Sequence, residues 1–280
     1  MLLTGNKLFY KIKNEIIQNI SERKQQGLII PKLSILRVGE RAEDIAYESS
    51  ILKYCSETGI EADVIALNQN ISMTDFINTL NRINEDKNVH GILIFRPLPE
   101  QLDQDIINRT IKPEKDIDCM NPINAEKVFE GSEDGIPPCT PEAVITLLKH
   151  YNIELSGKNV VIVNRSMVLG KPLAMLFLIE NSTVTICHSK TVNLAQITAR
   201  ADIVVTGIGK SRYFGKEYFN KDSIVIDVGI NEENGSIYGD VNFKEVSEHV
   251  AAITPVPGGV GTITSIILLK HVLKAMEMQQ

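Results

Sequence analysis

The feature that most constrains this chain is an alternation, kept up along its length, of short apolar runs with strand character and longer segments with helical spacing. Strands separated by helices cannot meet through tight hairpins. They pair in parallel through helical crossovers, which predicts an α/β fold with mostly parallel sheets. In the first half, Lys32–Val38 reads as a strand, residues 42–57 as a helix and Glu61–Leu67 as a second strand. Ser72 then stands as an N-cap with Asp75 in the first turn of the next helix. Residues 90–96 read as a buried strand, stopped by Pro97 and Pro99. Residues 113–141, dense in Pro, Asp and Gly, read as an irregular functional loop.

The pattern then restarts. Strands are predicted at residues 158–163, Thr183–Cys187, 202–207 and 223–228, with helices at 171–180 and 192–198. This repeated strand–helix unit is that of a dinucleotide-binding, Rossmann-like fold. A last helix over 264–278 follows a glycine-rich turn. The division is therefore expected near 140–150: an N-terminal α/β substrate domain over 1–145, a Rossmann-like domain over 146–263, and a final helix over 264–280 packing back on the first domain.

Composition excludes several classes. A net charge of −6 over 280 residues does not supply the basic field of a general nucleic-acid binder. No apolar run has signal-peptide or membrane-spanning character, and Cys55, Cys119, Cys139 and Cys187 lack CxxC spacing. The expectation is a cytoplasmic enzyme in a reducing compartment, with no metal, nucleic-acid or membrane partner.

The candidate cofactor loop follows the strand ending at Val163: Asn164, Arg165, Ser166, Met167, Val168, Leu169, Gly170, Lys171, Pro172. It is not GxGxxG, yet a turn running into a helix N-terminus presents backbone N–H groups to an anion. Pro172 suits the first helical turn, and Arg165 adds a forked phosphate donor. At the end of the next strand an NAD site carries an acid for the ribose. Here the residues are Cys187, His188, Ser189, Lys190 and Thr191, with no acid, which favours NADP.

Several phrases then occur in order: Pro138-Cys139-Thr140-Pro141, Arg165-Ser166, Gly170-Lys171-Pro172, Cys187 through Thr191, Asp227-Val228-Gly229-Ile230-Asn231, Gly239-Asp240-Val241, and Thr254-Pro255-Val256-Pro257-Gly258-Gly259-Val260-Gly261. Together they resemble the bifunctional methylenetetrahydrofolate dehydrogenase/methenyltetrahydrofolate cyclohydrolase family (FolD type), from Leu33 to the final helix. The resemblance implies a two-domain homodimer with folate in an interdomain cleft. It implies cofactor contacts at Asn164, Arg165, Ser166, Ser189, Ile230, Gly258 and Thr264. It implies folate contacts at Tyr47, Pro97, Leu98, Pro99, Asp118, Pro257, Gly258 and Gly261. Asn164 stands where the family has glycine, and Thr262-Ile263-Thr264 stands where it continues Pro-Met-Thr.

Within that resemblance Asp118 would accept N–H bonds from the pterin edge, and Tyr47 would stack on the substrate. The family hydrolyses the methenyl product with a lysine four residues after the tyrosine, supported by a glutamine at the strand end. Those positions hold Ile51 and Phe95. Lys53 is rotated about 200° from Ile51 on a helix, at about 100° per residue. Arg96, next to Phe95 in the predicted strand, faces the opposite side and is too basic to deprotonate. The expectation is NADP-dependent oxidation of 5,10-methylenetetrahydrofolate with cyclohydrolase activity weak or lost. The alternatives are a fully bifunctional enzyme producing 10-formyltetrahydrofolate, a catalytically silent folate- or nucleotide-binding relative, and an oxidoreductase with a changed substrate domain.

Overall fold

The computed structural model describes every residue except Glu133 and divides into two compact units. One comprises residues 11–137 and 265–280, the other residues 1–10 and 138–264. The first unit takes most of α1 (Asn6–Gln25), then β1 (Lys32–Val38), α2 (Ala42–Thr58), β2 (Glu61–Leu67), α3 (Met73–Glu85), β3 (Gly91–Ile94), α4 (Gln104–Thr110) and α5 (Pro122–Glu130). Its sheet has the order β2-β1-β3, all parallel. β1 is central and almost wholly buried, as its apolar run requires, whereas the edge strand β2 is half exposed. Phe76, Leu80 and Ile83 of α3 pack on Leu36, Ile92 and Ile94 of the sheet, so one helical face covers this side of it. Ser72 caps α3 by accepting from the Asp75 N–H at 3.1 Å.

Two expectations need correction here. Residues 113–141 are not an irregular loop: they hold a short 3₁₀ turn at Pro113–Lys115, then α5 and the start of α6 (Cys139–His150). The Pro, Asn and Gly density is helix punctuation. Asn121 caps α5 by accepting from Ile123 N–H at 2.8 Å, Pro122 occupies the first turn, and Gly131 ends the helix at φ 73°. The strand at 90–96 is also shorter than read. It ends at Ile94; Phe95 N–H still bonds the Leu36 carbonyl at 3.0 Å, and Arg96–Pro97 is a cis peptide. Strand alternation therefore does not decide where Arg96 points.

The second unit continues with β4 (Asn159–Val163), α7 (Gly170–Ile179), β5 (Thr183–Cys187), α8 (Leu194–Thr198), β6 (Ile203–Thr206), β7 (Ile224–Asp227), the hairpin β8 (Asn231–Glu233) and β9 (Ser236–Tyr238), α9 (Phe243–Val246) and β10 (Ala252–Ile253). The helix α10 (Val260–Met278) follows, starting four residues ahead of the predicted 264. Five strands pair in the order β10-β7-β6-β4-β5, all parallel. β4 and β6 are neighbours although β5 lies between them in sequence, so the chain reverses direction across the sheet there. In open parallel sheets such a reversal opens a crevice at the carboxyl ends of the strands. The first residues belong to this unit rather than to the residues after them. Leu2 bridges Ile253 in parallel, and Leu3 N–H donates to the Ile253 carbonyl at 2.9 Å, extending the sheet beyond β10.

Candidate active site

In the second unit the carboxyl ends of the strands are level. Val163 pairs with Cys187 on one side and Thr206 on the other, and Thr206 pairs with Asp227. The loops beginning at Asn164, His188, Gly207 and Val228 thus leave one edge of the sheet together. Arg165 is exposed, Ser166 is half-buried, and Met167 and Val168 are exposed before α7 begins. Gly170 is required: a β-carbon there would lie 2.0 Å from the Asn164 carbonyl oxygen, so only glycine lets the helix start against the turn. The Asn164 side chain is turned into this loop. Its Oδ1 accepts from Ser166 N–H at 2.7 Å, Ser166 Oγ at 2.8 Å and Gly170 N–H at 3.0 Å, and its Nδ2 donates to the Gly207 carbonyl at 2.6 Å.

After β5 the chain makes a tight turn: Thr191 N–H donates to the His188 carbonyl at 2.8 Å, and Thr191 Oγ accepts from His188 N–H at 2.8 Å. His188 Nδ1 accepts from Lys190 N–H at 3.2 Å, so this histidine orders the turn, and Ser189 at its tip is exposed.

The loops after β6 and β7 rest on two buried carboxylates to which sequence reasoning gave no role. Asp240 Oδ1 accepts from Lys210 N–H at 2.9 Å and Asn231 Nδ2 at 3.0 Å, while Oδ2 accepts from Gly209 N–H at 3.2 Å and from Ile208 N–H. Asp227 accepts from the backbone N–H groups of Gly229 (3.0 Å), Asp240 (3.1 Å) and Val241 (2.8 Å). Burial pushes the Asp227 carboxyl up to about 6 against these bonds, and the Asp240 charge adds to the rise. Glycine surrounds the pair by necessity: a β-carbon at Gly229 would lie 2.3 Å from Asp240 Cγ, and one at Gly239 would lie 1.9 Å from Asp227 Oδ2. The signal was present in the phrases Asp227-Val228-Gly229 and Gly239-Asp240-Val241, in which each glycine makes room for the other phrase's carboxylate.

Beside them lies a cavity of about 240 Å³ lined by residues that include Gly229, Ile230, Pro257, Gly258, Gly261 and Thr262. Ile230 is 68% exposed. Val256–Pro257 is cis, Gly258 has φ 107°, and its carbonyl accepts from Gly5 N–H at 2.8 Å. Thr264 Oγ donates to the Gly261 carbonyl at 3.0 Å. The predicted residues Ile230, Pro257, Gly258 and Gly261 thus line one recess of this unit.

In the first unit, α2 carries Tyr47 with its side chain 41% exposed, while Ile51, one turn on, is 0% exposed. Phe95, at the end of β3, is 6% exposed, and its ring lies 5.4 Å from that of Tyr47 at 33°. An exposed aromatic face thus sits on a hydrocarbon floor. Lys53 is exposed, and Lys115 is buried with its ammonium on the carbonyls of Ile83 (3.2 Å) and Asp86 (2.6 Å). The Arg96 guanidinium reaches α4 instead, donating to Gln104 Oε1 at 2.7 Å and to Asn108 Oδ1. Burial holds its pKa below the usual arginine value, partly offset by the charges of Asp118 and Asp116. Asp118 is half-buried and is preceded by Asp116, whose carboxylate accepts from the N–H groups of Asp118, Met120 and Asn121 and from Asn124 Nδ2. Burial nevertheless raises the Asp116 carboxyl. Pro97 is exposed, Leu98 buried and Pro99 half-buried, so Leu98 anchors the loop and the prolines face outward. Among the described residues no His, Cys, Asp and Glu group has metal-site geometry, and no helix is long and apolar enough to cross a membrane.

Comparison with known proteins gives this arrangement a family. Residues 3–118 match the model of the tetrahydrofolate dehydrogenase/cyclohydrolase catalytic domain, and residues 138–280 match that of the tetrahydrofolate dehydrogenase/cyclohydrolase NAD(P)-binding domain. The bifunctional protein FolD of Clostridium botulinum is 54% identical over 99% of this chain and 98% of its own. The crystal structure of the bifunctional enzyme FolD, methylenetetrahydrofolate dehydrogenase/cyclohydrolase, from Campylobacter jejuni superposes with a TM-score of 0.97 at 39% identity, covering 100% of this chain and 99% of that one. A Trypanosoma brucei N5,N10-methylenetetrahydrofolate dehydrogenase-cyclohydrolase complexed with NADP cofactor and inhibitor has a TM-score of 0.93 at 31% identity, covering 99% of this chain and 97% of its own. With both domain models matched and half of its residues shared with a full-length relative, this chain belongs to the tetrahydrofolate dehydrogenase/cyclohydrolase family.

Proposed function

We propose that this chain oxidises 5,10-methylenetetrahydrofolate to 5,10-methenyltetrahydrofolate with NADP and hydrolyses the methenyl product weakly or not at all. The observation that carries the second half is the fully buried Ile51 beneath Tyr47, with Phe95 against the same ring. Attack of water on the methenyl bridge needs a group that can take its proton near neutral pH. At the position that would supply a lysine there is hydrocarbon. Lys53 is exposed, the Lys115 ammonium is occupied by carbonyls, and a guanidinium does not release a proton usefully.

Oxidation asks for alignment rather than for a base. The bound nicotinamide supplies the hydride acceptor. In the first unit Asp118 offers carboxylate oxygens to the N–H edge of a pterin, and Tyr47 offers an aromatic face steadied by Phe95. In the second unit Arg165 and Ser189 project from the ends of β4 and β5 as phosphate donors, and no carboxylate lies between Cys187 and Thr191. That supports NADP over NAD, as does the NADP held by the Trypanosoma brucei relative. Leu178, Ile179 and Ile186, exposed on α7 and the edge strand β5, support a homodimer.

The test is spectrophotometric: supply methylenetetrahydrofolate with NADP, then with NAD, and follow reduced nicotinamide and methenyl product together. Reduction with accumulating methenyl product is expected. Loss of methenyl product faster than in buffer refutes the hydrolytic half; NADP binding without reduction points to a silent relative. The second reading, full bifunctionality, is favoured by the names that the relatives carry, and the same assay separates it.

A further inference from the structure

We propose that Asn164 is a positioning residue of the dinucleotide site, an internal ligand whose amide takes the place of a phosphate oxygen at the N-terminus of α7. In dinucleotide folds with glycine at this kind of turn, the backbone donors at the helix start face the cofactor's pyrophosphate. Here two of those backbone donors, Ser166 N–H and Gly170 N–H, converge with the Ser166 hydroxyl on the single oxygen Oδ1 within 3.0 Å. The other end of the amide is committed as well, through Nδ2 to the Gly207 carbonyl at 2.6 Å. β4 and β6 are adjacent, with Val163 opposite Thr206, so this bond ties two loops together at the reversal of strand order.

No other small side chain does both jobs. Aspartate would accept the three donors but could not donate to Gly207, and it would place a full negative charge at the phosphate position. Serine is too short, and glycine supplies neither bond. The helix start is pressed against this residue, since a β-carbon on Gly170 would lie 2.0 Å from the Asn164 carbonyl oxygen. The loop is therefore closed on itself before any cofactor arrives. The grip on the phosphates then passes from the helix end to the exposed side chains Arg165 and Ser189.

This inference rests on the reading that the second unit binds a dinucleotide, and the experiment separates the two. Isothermal titration of the full-length protein with NADP and with NAD tests that reading on the wild type alone; binding of neither would end it. Titration with inorganic pyrophosphate tests Asn164. Asn164→Gly should bind pyrophosphate about tenfold more tightly than wild type, because the freed donors add roughly one net charge-assisted hydrogen bond. Asn164→Asp should lose at least about tenfold in NADP affinity through short-range repulsion. Should Asn164→Gly not fold, Asn164→Ala frees the same donors and carries the same expectation. Pyrophosphate affinity equal to or weaker than wild type in the glycine or alanine variant overturns the proposal.

Discussion

Asp240→Ala tests how the candidate cofactor edge is held. The Asp240 side chain is 0% exposed, and its two oxygens accept from Ile208, Gly209 and Lys210 N–H and from the Asn231 amide. Truncation strands four donors. Gly209 and Lys210 are exposed, so water replaces the carboxylate for them, whereas Ile208 and Asn231 are half-buried and reach it less easily. Two inadequately paired donors at about 1–3 kcal/mol each give a loss of about 2–6 kcal/mol. Relief of repulsion with Asp227 puts the result near the lower end of that range. A drop of about 5–10 °C in Tm is expected by far-UV circular dichroism. NADP affinity should fall by about tenfold or more, because a looser segment after β6 must be ordered on binding. Asp240→Asn keeps the shape but turns one acceptor into a donor facing N–H groups, and should fall between wild type and alanine. An alanine variant with Tm and NADP affinity both unchanged would refute the view that this carboxylate organises the loop.

Other outcomes follow from the same geometry. Asp227 should titrate with a midpoint near 6 in carboxyl-carbon NMR. Because its folded pKa lies above the unfolded 3.8, the native state binds more protons in between, so its contribution to stability is full below about 4 and declines by about 3 kcal/mol as pH rises through 6; a midpoint at or below 4 would remove this prediction. Gly170→Ala forces a β-carbon to 2.0 Å from a backbone oxygen and should cost more than about 3 kcal/mol, seen as a Tm loss above about 8 °C. Ile51→Lys places an ammonium at a fully buried position and should lower Tm while restoring little hydrolysis, because Phe95 gives it no partner; strong hydrolysis from that single change would count against the argument.

The sequence carried the alternation of elements well, since parallel strands buried on both faces read as apolar runs and helices as periodic ones. It misread 113–141, because Pro122 and Gly131 mark the start and stop of a helix as readily as they mark a loop. Ile51 and Phe95 were legible as departures from a pattern. That Tyr47 stacks against Phe95 was not, since it depends on where a helix and a strand end meet. Asn164 illustrates the same limit: the substitution is visible in the sequence, but the bond that ties its amide across the sheet goes to Gly207, a residue distant in the chain and adjacent only through strand order. The role of Asp227 and Asp240 is not legible in the sequence, because a carboxylate receiving backbone N–H groups looks there like any turn aspartate.

The extension of the sheet by the first residues carries a consequence for synthesis. The amino group of Met1 bonds the Ala251 carbonyl, 250 residues along the chain, and Gly5 secures the carbonyl of Gly258. At translation rates of about 5–20 residues per second, the opening segment waits on the order of 10–50 s for its docking strand to be made. The proline–glycine corner that lines the recess of the second unit is thus among the last parts of the fold to close, and a nascent chain arrested before it would have the strands of a dinucleotide fold without a finished binding edge.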